Sequence, residues 1–240
     1  MEWSNIQAGV YWAEENLLSD DFAAELCNTY YYAGLDVLNL RLHPDKKISW
    51  LKSALTASKQ LGDGQAEGVW LGSLGQAHAA MGQPEKAIEY FQMALEIAQQ
   101  IKDKQNEGAW LGSLGQAHTA MGQPEKAIEY FQMALEIAQQ IKDKRNEGAW
   151  LGSLGQAHAA MGQPEKAIEY FQMALEIAQQ IKDKRNEGAL LGSLGLEFDK
   201  SGQREKAIKL TEAALAISEQ INSSNAKIAE KKLAEWQRQK

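Results

Sequence analysis

The chain has 240 residues, 44% of them hydrophobic and 24% charged, which suits a packed protein and excludes a disordered one. Its 25 basic and 32 acidic residues leave a formal charge of −7, the wrong sign for gripping a nucleic-acid backbone. Cys27 is the single cysteine, which excludes an internal disulfide and points to a reducing, cytoplasmic location.

Met1-Glu2-Trp3-Ser4-Asn5 has neither the basic start nor the apolar core of a signal peptide. No later run approaches the roughly 18 apolar residues of a membrane span, so no membrane partner is expected. After an amphipathic segment at 2–13, Asp21–Leu42 and Asp45–Leu61 read as a degenerate helical hairpin. Its second arm carries Ile48-Ser49-Trp50-Leu51-Lys52-Ser53-Ala54-Leu55. The expected organisation is this N-terminal part over 1–63, four repeats over 64–223, and a polar capping helix over 224–240.

Residues 64–103, 104–143 and 144–183 are nearly one sequence, and 184–223 keeps the frame through Gly195 before drifting. Packing alone rarely demands such identity, because exposed positions vary freely. Recent duplication or deliberate assembly accounts for it, so identity carries no functional weight. In the copy at 104–143, Asp103 predicts a cap for a helix from Lys104 to about Met121. Gly122 ends that helix and Pro124 opens a second, running to about Lys142. Apolar Ala127, Ile128, Phe131, Ala134, Leu135, Ala138 and Ile141 recur along the second helix at steps of three and four. The C-terminal cap, Asn225–Lys240, places Ile228, Leu233 and Trp236 on one side.

The first helix of the repeat has three faces. Leu111, Gly115 and His118 suit packing on the helix that follows, and Trp110, Leu114, Ala117 and Met121 suit the preceding repeat. The rest, Ala109, Gly112, Ser113, Gln116, Thr119 and Ala120, is small or polar and uncharged. Burial on two sides is what a stacked array requires, which leaves the third face lining an inner surface. Candidate partner-binding residues are therefore Gly72, Ser73, Gln76, Gly112, Ser113, Gln116, Thr119, Gly152, Ser153 and Gln156. The glycines are costly, at about 1 kcal/mol each against Ala in a helix interior. Close approach of a partner's backbone and crowding inside the array explain Gly112 equally well. The serine and glutamine ladder suits an extended or helical protein segment.

Leu111-x2-Leu114-Gly115-x2-His118 followed by Ala127-x3-Phe131 resembles the tetratricopeptide repeat, with Leu for Trp, His for Tyr and the terminal Pro absent. The resemblance implies an all-α, right-handed α-solenoid of helical hairpins and a protein or peptide partner. Glu-Gly-x-x-Leu-Gly-x-Leu-Gly is similar to repeats of Pins-type scaffolds and of bacterial signalling proteins. Glu2-Trp3-Ser4-Asn5-Ile6-Gln7-Ala8-Gly9-Val10-Tyr11-Trp12-Ala13 resembles the segment that opens the helical sensor of bacterial STAND signalling ATPases. That likeness implies a sensor whose ATP chemistry lies in other sequence.

No phosphate loop, His-Glu-x-x-His or Cys-x-x-Cys is present, so neither catalysis nor a cofactor is expected here. His78, His118 and His158 recur once per repeat, on helices about 10 Å or more apart. Metal ligands must all lie about 2 Å from one ion, so these histidines read as polar core residues. Trp70, Trp110 and Trp150 read as packing between repeats, and Met93, Met133 and Met173 as flanks against the next repeat. Three functions stay open: a STAND-type sensor, a stand-alone adaptor for peptide segments, and a repeat array with no ligand. Solenoid ends also allow end-to-end self-association.

Overall fold

The computed structural model describes residues 3–18, 20–29, 44–221 and 225–237, and every regular element among them is helical. In chain order these are α1 (Trp3–Asn16), α2 (21–29), α3 (Pro44–Leu61), α4 (Gly64–Ala80), α5 (Pro84–Gln100) and α6 (Lys104–Ala120). They continue with α7 (Pro124–Gln140), α8 (Lys144–Ala160), α9 (Pro164–Gln180), α10 (Lys184–Lys200), α11 (Arg204–Gln220) and α12 (Asn225–Gln237). Residues 30–42 of the predicted 21–42 helix lie outside the described residues. None of the described helices is long and apolar enough to cross a membrane.

Two kinds of break alternate along the chain. At the first, Gly82, Gly122, Gly162 and Gly202 take positive φ of 69, 68, 69 and 78°, a conformation that costs glycine nothing. Pro84, Pro124 and Pro164 then open α5, α7 and α9, where a missing N–H is no loss. At the second break, Asp63, Asp103, Asp143 and Asp183 each accept the N–H of the third residue on, at 3.0–3.1 Å. These carboxylates satisfy donors that a helix start leaves free.

The second break corrects the expectation that the longer helix runs through Ile141 to Lys142. The helix stops at Gln140, and Lys142 is left-handed with φ 59°, as are Lys102 (59°) and Lys182 (58°). The Asp143 N–H donates back to the Ala138 carbonyl at 2.8 Å and closes the helix end. At the matching place before α4 stands Gly62, with φ 66°. A left-handed L-residue costs about 1–2 kcal/mol, partly offset by the extra unfolded-state entropy a glycine brings. Lys142→Gly is expected to gain about 0.5–1 kcal/mol, read as a higher denaturation midpoint at unchanged m.

The helices form two compact units, Met1–Met121 and Gly122–Lys240. In the first, α3 packs on α4, α4 on α5 and α5 on α6. One core joins Ala13, Leu17, Cys27, Trp50, Trp70 and Leu74. The Trp70 indole N–H donates to Asn28 Oδ1 at 2.8 Å, tying α4 to α2. In the second unit each helix from α7 to α12 packs on its successor.

Glycines set how closely hairpin arms approach. An added Cβ on Gly75 or Gly155 would lie 2.6 Å from the ring of Phe91 or Phe171, well inside van der Waals contact. At the C-terminal end, α12 lays Leu233 and Trp236 against a core holding Phe171, Leu194, Phe198 and Ala207, and Ala229 is buried as well. Ile228, expected on the buried side, is 67% exposed, because Ala229 takes the inward position.

Candidate interaction surface

The first helices of the hairpins use two faces for packing. His78 and His158 turn toward the second helix and stack on Tyr90 and Tyr170, each pair with centroids 5.2 Å apart and nearly parallel rings. Nδ1 of His78 lies 2.9 Å from Gln83 Oε1, and that of His158 lies 2.8 Å from Gln163 Oε1. Their polarity is met inside the hairpin. Among the described residues no group of three or more His, Cys, Asp or Glu is placed to hold a metal.

The tryptophans make the contact between neighbours. Trp110 is 6% exposed, stacks on Phe91 with centroids 6.2 Å apart, and reaches across to Gly72. An added Cβ on Gly72 would lie 2.1 Å from Trp110 Cη2. Gly72 therefore belongs to the stacking of repeats, a correction to its assignment as a residue open to a partner. Trp150 repeats the arrangement with Phe131 at 6.1 Å. Gly112 and Gly152 are also buried, yet Gly152 has room: its added Cβ would be 3.7 Å from Leu190 Cδ2.

On the third face the serines and glutamines behave differently. Ser113 Oγ donates to the Ala109 carbonyl at 2.9 Å, Ser153 Oγ to Ala149 at 3.0 Å, and Thr119 Oγ1 to Gly115 at 2.9 Å. Each hydroxyl has spent its proton on its own helix and presents only lone pairs outward. Gln76, Gln116 and Gln156 are exposed, with amide donors and acceptors at the surface; Thr119 is exposed and Ser73 half-buried. In the first unit Gln76, Ser113 and Gln116 meet around a recess of about 510 Å³, together with Ala79, Pro84 and Ala120. In the second unit Gly152, Ser153 and Gln156 border a cavity of about 220 Å³. The first recess is lined by uncharged residues throughout.

Charge is buried at one repeated place that composition and spacing did not flag. Glu107, Glu147 and Glu187 are 7–8% exposed and hold Lys104, Lys144 and Lys184 at 2.6–2.7 Å. Gln179 Nε2 also donates to Glu187, at 3.3 Å from the preceding hairpin. Each glutamate sits in the first turn of its helix, where the helix dipole favours an anion. The recurring Glu-Gly pair was the available signal.

Met93, Met133 and Met173, read as flanks against the next repeat, are 42–47% exposed. Cys27 is buried, and its thiol is pushed up to about 11, first by burial and then by Glu14. A thiol held protonated in this way is a poor nucleophile.

A tetratricopeptide repeat profile matches residues 48–100, 65–140, 107–180 and 146–220. Among solved structures, BtubC (BKLC) from P. vanneervenii superposes with a TM-score of 0.75 at 18% identity, over 91% of this chain and 90% of that one. A Signal Transduction ATPase with Numerous Domains (STAND) protein from Pyrococcus horikoshii, which has a tetratricopeptide repeat sensor, gives 0.77 at 22% identity. That match covers 90% of this chain and 33% of the other. Aspartyl phosphate phosphatase F from Bacillus subtilis gives 0.77 at 18%, over 93% and 57%. The present chain thus spans a third of one of these relatives and little more than half of another. No curated protein sequence matches. The shared feature is the fold, an all-α solenoid of helical hairpins, which in this chain is followed by α12.

Proposed function

The chain belongs to the tetratricopeptide repeat family, whose members are protein-interaction modules, and from that premise we propose that it senses a protein ligand within a STAND-type signalling ATPase. The observation that carries the recognition part is the pair of exposed amides, Gln76 and Gln116, on the uncharged recess of the first unit, a feature repeated by the exposed Gln156 in the second. Such amides suit the backbone of an extended or helical segment, which asks for donors and acceptors rather than charge. The small residues beside the amides let that backbone approach closely. Fold likeness to a STAND sensor and the Glu2–Ala13 segment favour the ATPase setting. Binding that prefers one state of the parent protein would shift it from resting to active. The division into 1–63, 64–223 and 224–240, and a surface that rejects nucleic acid, belong to the same proposal.

A stand-alone adaptor is the second reading. The same repeats and exposed amides would serve an adaptor that binds peptide segments constitutively. An upstream coding region with a phosphate loop distinguishes the sensor from the adaptor.

Recognition is tested by capturing partners from the source cell on the wild-type chain and on the triple Gln76/Gln116/Gln156→Arg variant. Circular dichroism should be identical for the two, because all three positions are exposed. The variant is expected to retain less than about a tenth of the captured protein, given two or three lost hydrogen bonds of about 0.5–1.5 kcal/mol each. Undiminished capture would remove these glutamines from the binding surface.

A further inference from the structure

Near-identical repeats differ in what fills one position. In the first unit the wall at Gly72 is covered by the indole of Trp110, which is 6% exposed. Two repeats later Gly152 stands where Gly72 stood, and the place of Trp110 is taken by Leu190. An added Cβ on Gly152 would meet Leu190 Cδ2 at 3.7 Å, against 2.1 Å to the indole at Gly72. The larger ring is missing, and the open cavity of about 220 Å³ lies there. Gly152, Ser153, Ile177, Ala178, Leu190 and Ser193 are among its walls. Gln156 and Asn186 make the lining partly polar, and the cavity opens to solvent; about 150 Å³ is the room that a benzene-sized ring needs.

Two further facts say what the occupant is. The same Gly-Ser-x-x-Gln helix face accepts an indole at Gly72, so the shape of the wall is already matched to that ring within this chain. Arg145 on the rim is the one charged residue lining the cavity, and it makes no ion pair among the described residues. A guanidinium in that state complements a carboxylate.

We propose that the socket between Gly152 and Leu190 is a subsite for one tryptophan side chain of a peptide ligand, with a carboxylate beside it for Arg145. The proposal rests on the peptide-recognition reading above and assigns it a specificity-determining place in the second unit. The ring is buried on the Gly152 wall, as the protein's own Trp110 is buried at Gly72. A leucine in its place would leave most of the socket unfilled.

The test uses the whole chain and the dipeptide N-acetyl-Trp-Glu-amide, with N-acetyl-Leu-Glu-amide and N-acetyl-Trp-Lys-amide as comparators, titrated by ligand-observed NMR. Trp-Glu is expected to saturate the chain, with Leu-Glu at least tenfold weaker and Trp-Lys weaker than Trp-Glu. Leu190→Trp should close the socket and raise Tm, and Gly152→Leu should fill it from the opposite wall. Each is expected to lose Trp-Glu binding at least tenfold while circular dichroism stays unchanged. Arg145→Glu, a surface change that leaves folding intact, should reverse the preference toward Trp-Lys.

Failure of wild type to bind Trp-Glu at millimolar concentration overturns the proposal, as does wild-type affinity in a folded Leu190→Trp or Gly152→Leu. If both filling variants unfold, the Arg145→Glu preference decides. A dimer broken both by Leu190→Trp and by changing the 46%-exposed Trp12 would make a second copy the occupant and overturn the peptide assignment. Partner loss in the triple glutamine variant, combined with indifference to Leu190→Trp, removes the socket and leaves the broader recognition reading standing.

Discussion

Gly72→Ala is expected to destabilise the protein by about 1–3 kcal/mol, although alanine is the better helix former by about 1 kcal/mol. The new methyl would stand 2.1 Å from Cη2 of Trp110, some 1.5 Å inside ordinary contact, so the ring must move. It has little freedom to do so. Trp110 is 6% exposed and stacked on Phe91 at 6.2 Å, and a rigid bicycle cannot fold back as a methionine would. Tryptophan fluorescence during denaturation reports the change from the affected site, with Tm falling about 2–4 °C per kcal/mol for a chain of this size. Gly152→Ala is the control with the opposite sign. Its methyl would make a normal 3.7 Å contact with Leu190, so the helix-propensity gain survives and stability rises by up to about 1 kcal/mol. Equal effects at both positions would refute the packing account.

The larger effect is expected at the other end. Trp236→Ala should cost about 3–5 kcal/mol, the usual range for truncating a buried aromatic ring to a methyl. Trp236 is 2% exposed, and its indole N–H donates to Asp199 Oδ2 at 3.0 Å. The Arg204 guanidinium, itself paired with Asp199, lies over the ring at 5.5 Å from its centroid. Losing the ring uncovers Phe198 and Ala207 and leaves α12 with Ala229 and Leu233 as its buried apolar anchors. Increased binding of a hydrophobic dye, with aggregation at high concentration, should accompany the loss. Ile228→Ser is the matched control. At 67% exposure it should shift stability by less than about 0.5 kcal/mol, and a large loss there would show that α12 packs by a different face.

The features read correctly from sequence were mostly local. Asp103, Gly122 and Pro124 act within a few residues of themselves, through a cap, a positive φ and a fixed φ, so their positions declare the helix ends. Lys142 escaped because nothing in a lysine announces a left-handed backbone. The bond from the Asp143 N–H to Ala138 imposes that conformation at the junction, and only Gly62 in the degenerate copy hinted at it. The separation of Gly72 from Gly152 was likewise hidden. What lies over each is decided 38 residues downstream, by Trp110 in one case and Leu190 in the other. The serine ladder was half legible, because a hydroxyl on a helix chooses between solvent and the carbonyl one turn back, and sequence does not record that choice.

The contacts to α2 and α12 are particular, and the two Phe–Trp junctions are generic. Trp70 is addressed to Asn28, and Trp236 to Asp199, by single hydrogen bonds that no other copy can reproduce. Between them the Phe91–Trp110 and Phe131–Trp150 stacks agree to 0.1 Å, so these two junctions are interchangeable, and Leu190 alone sets the following one apart. Unequal recombination among the copies would then lengthen or shorten the protein by whole forty-residue steps. Each product would meet only junctions of a kind it already contained. Reach along a ligand becomes a quantity that evolution can change in a single event, without redesigning a single contact.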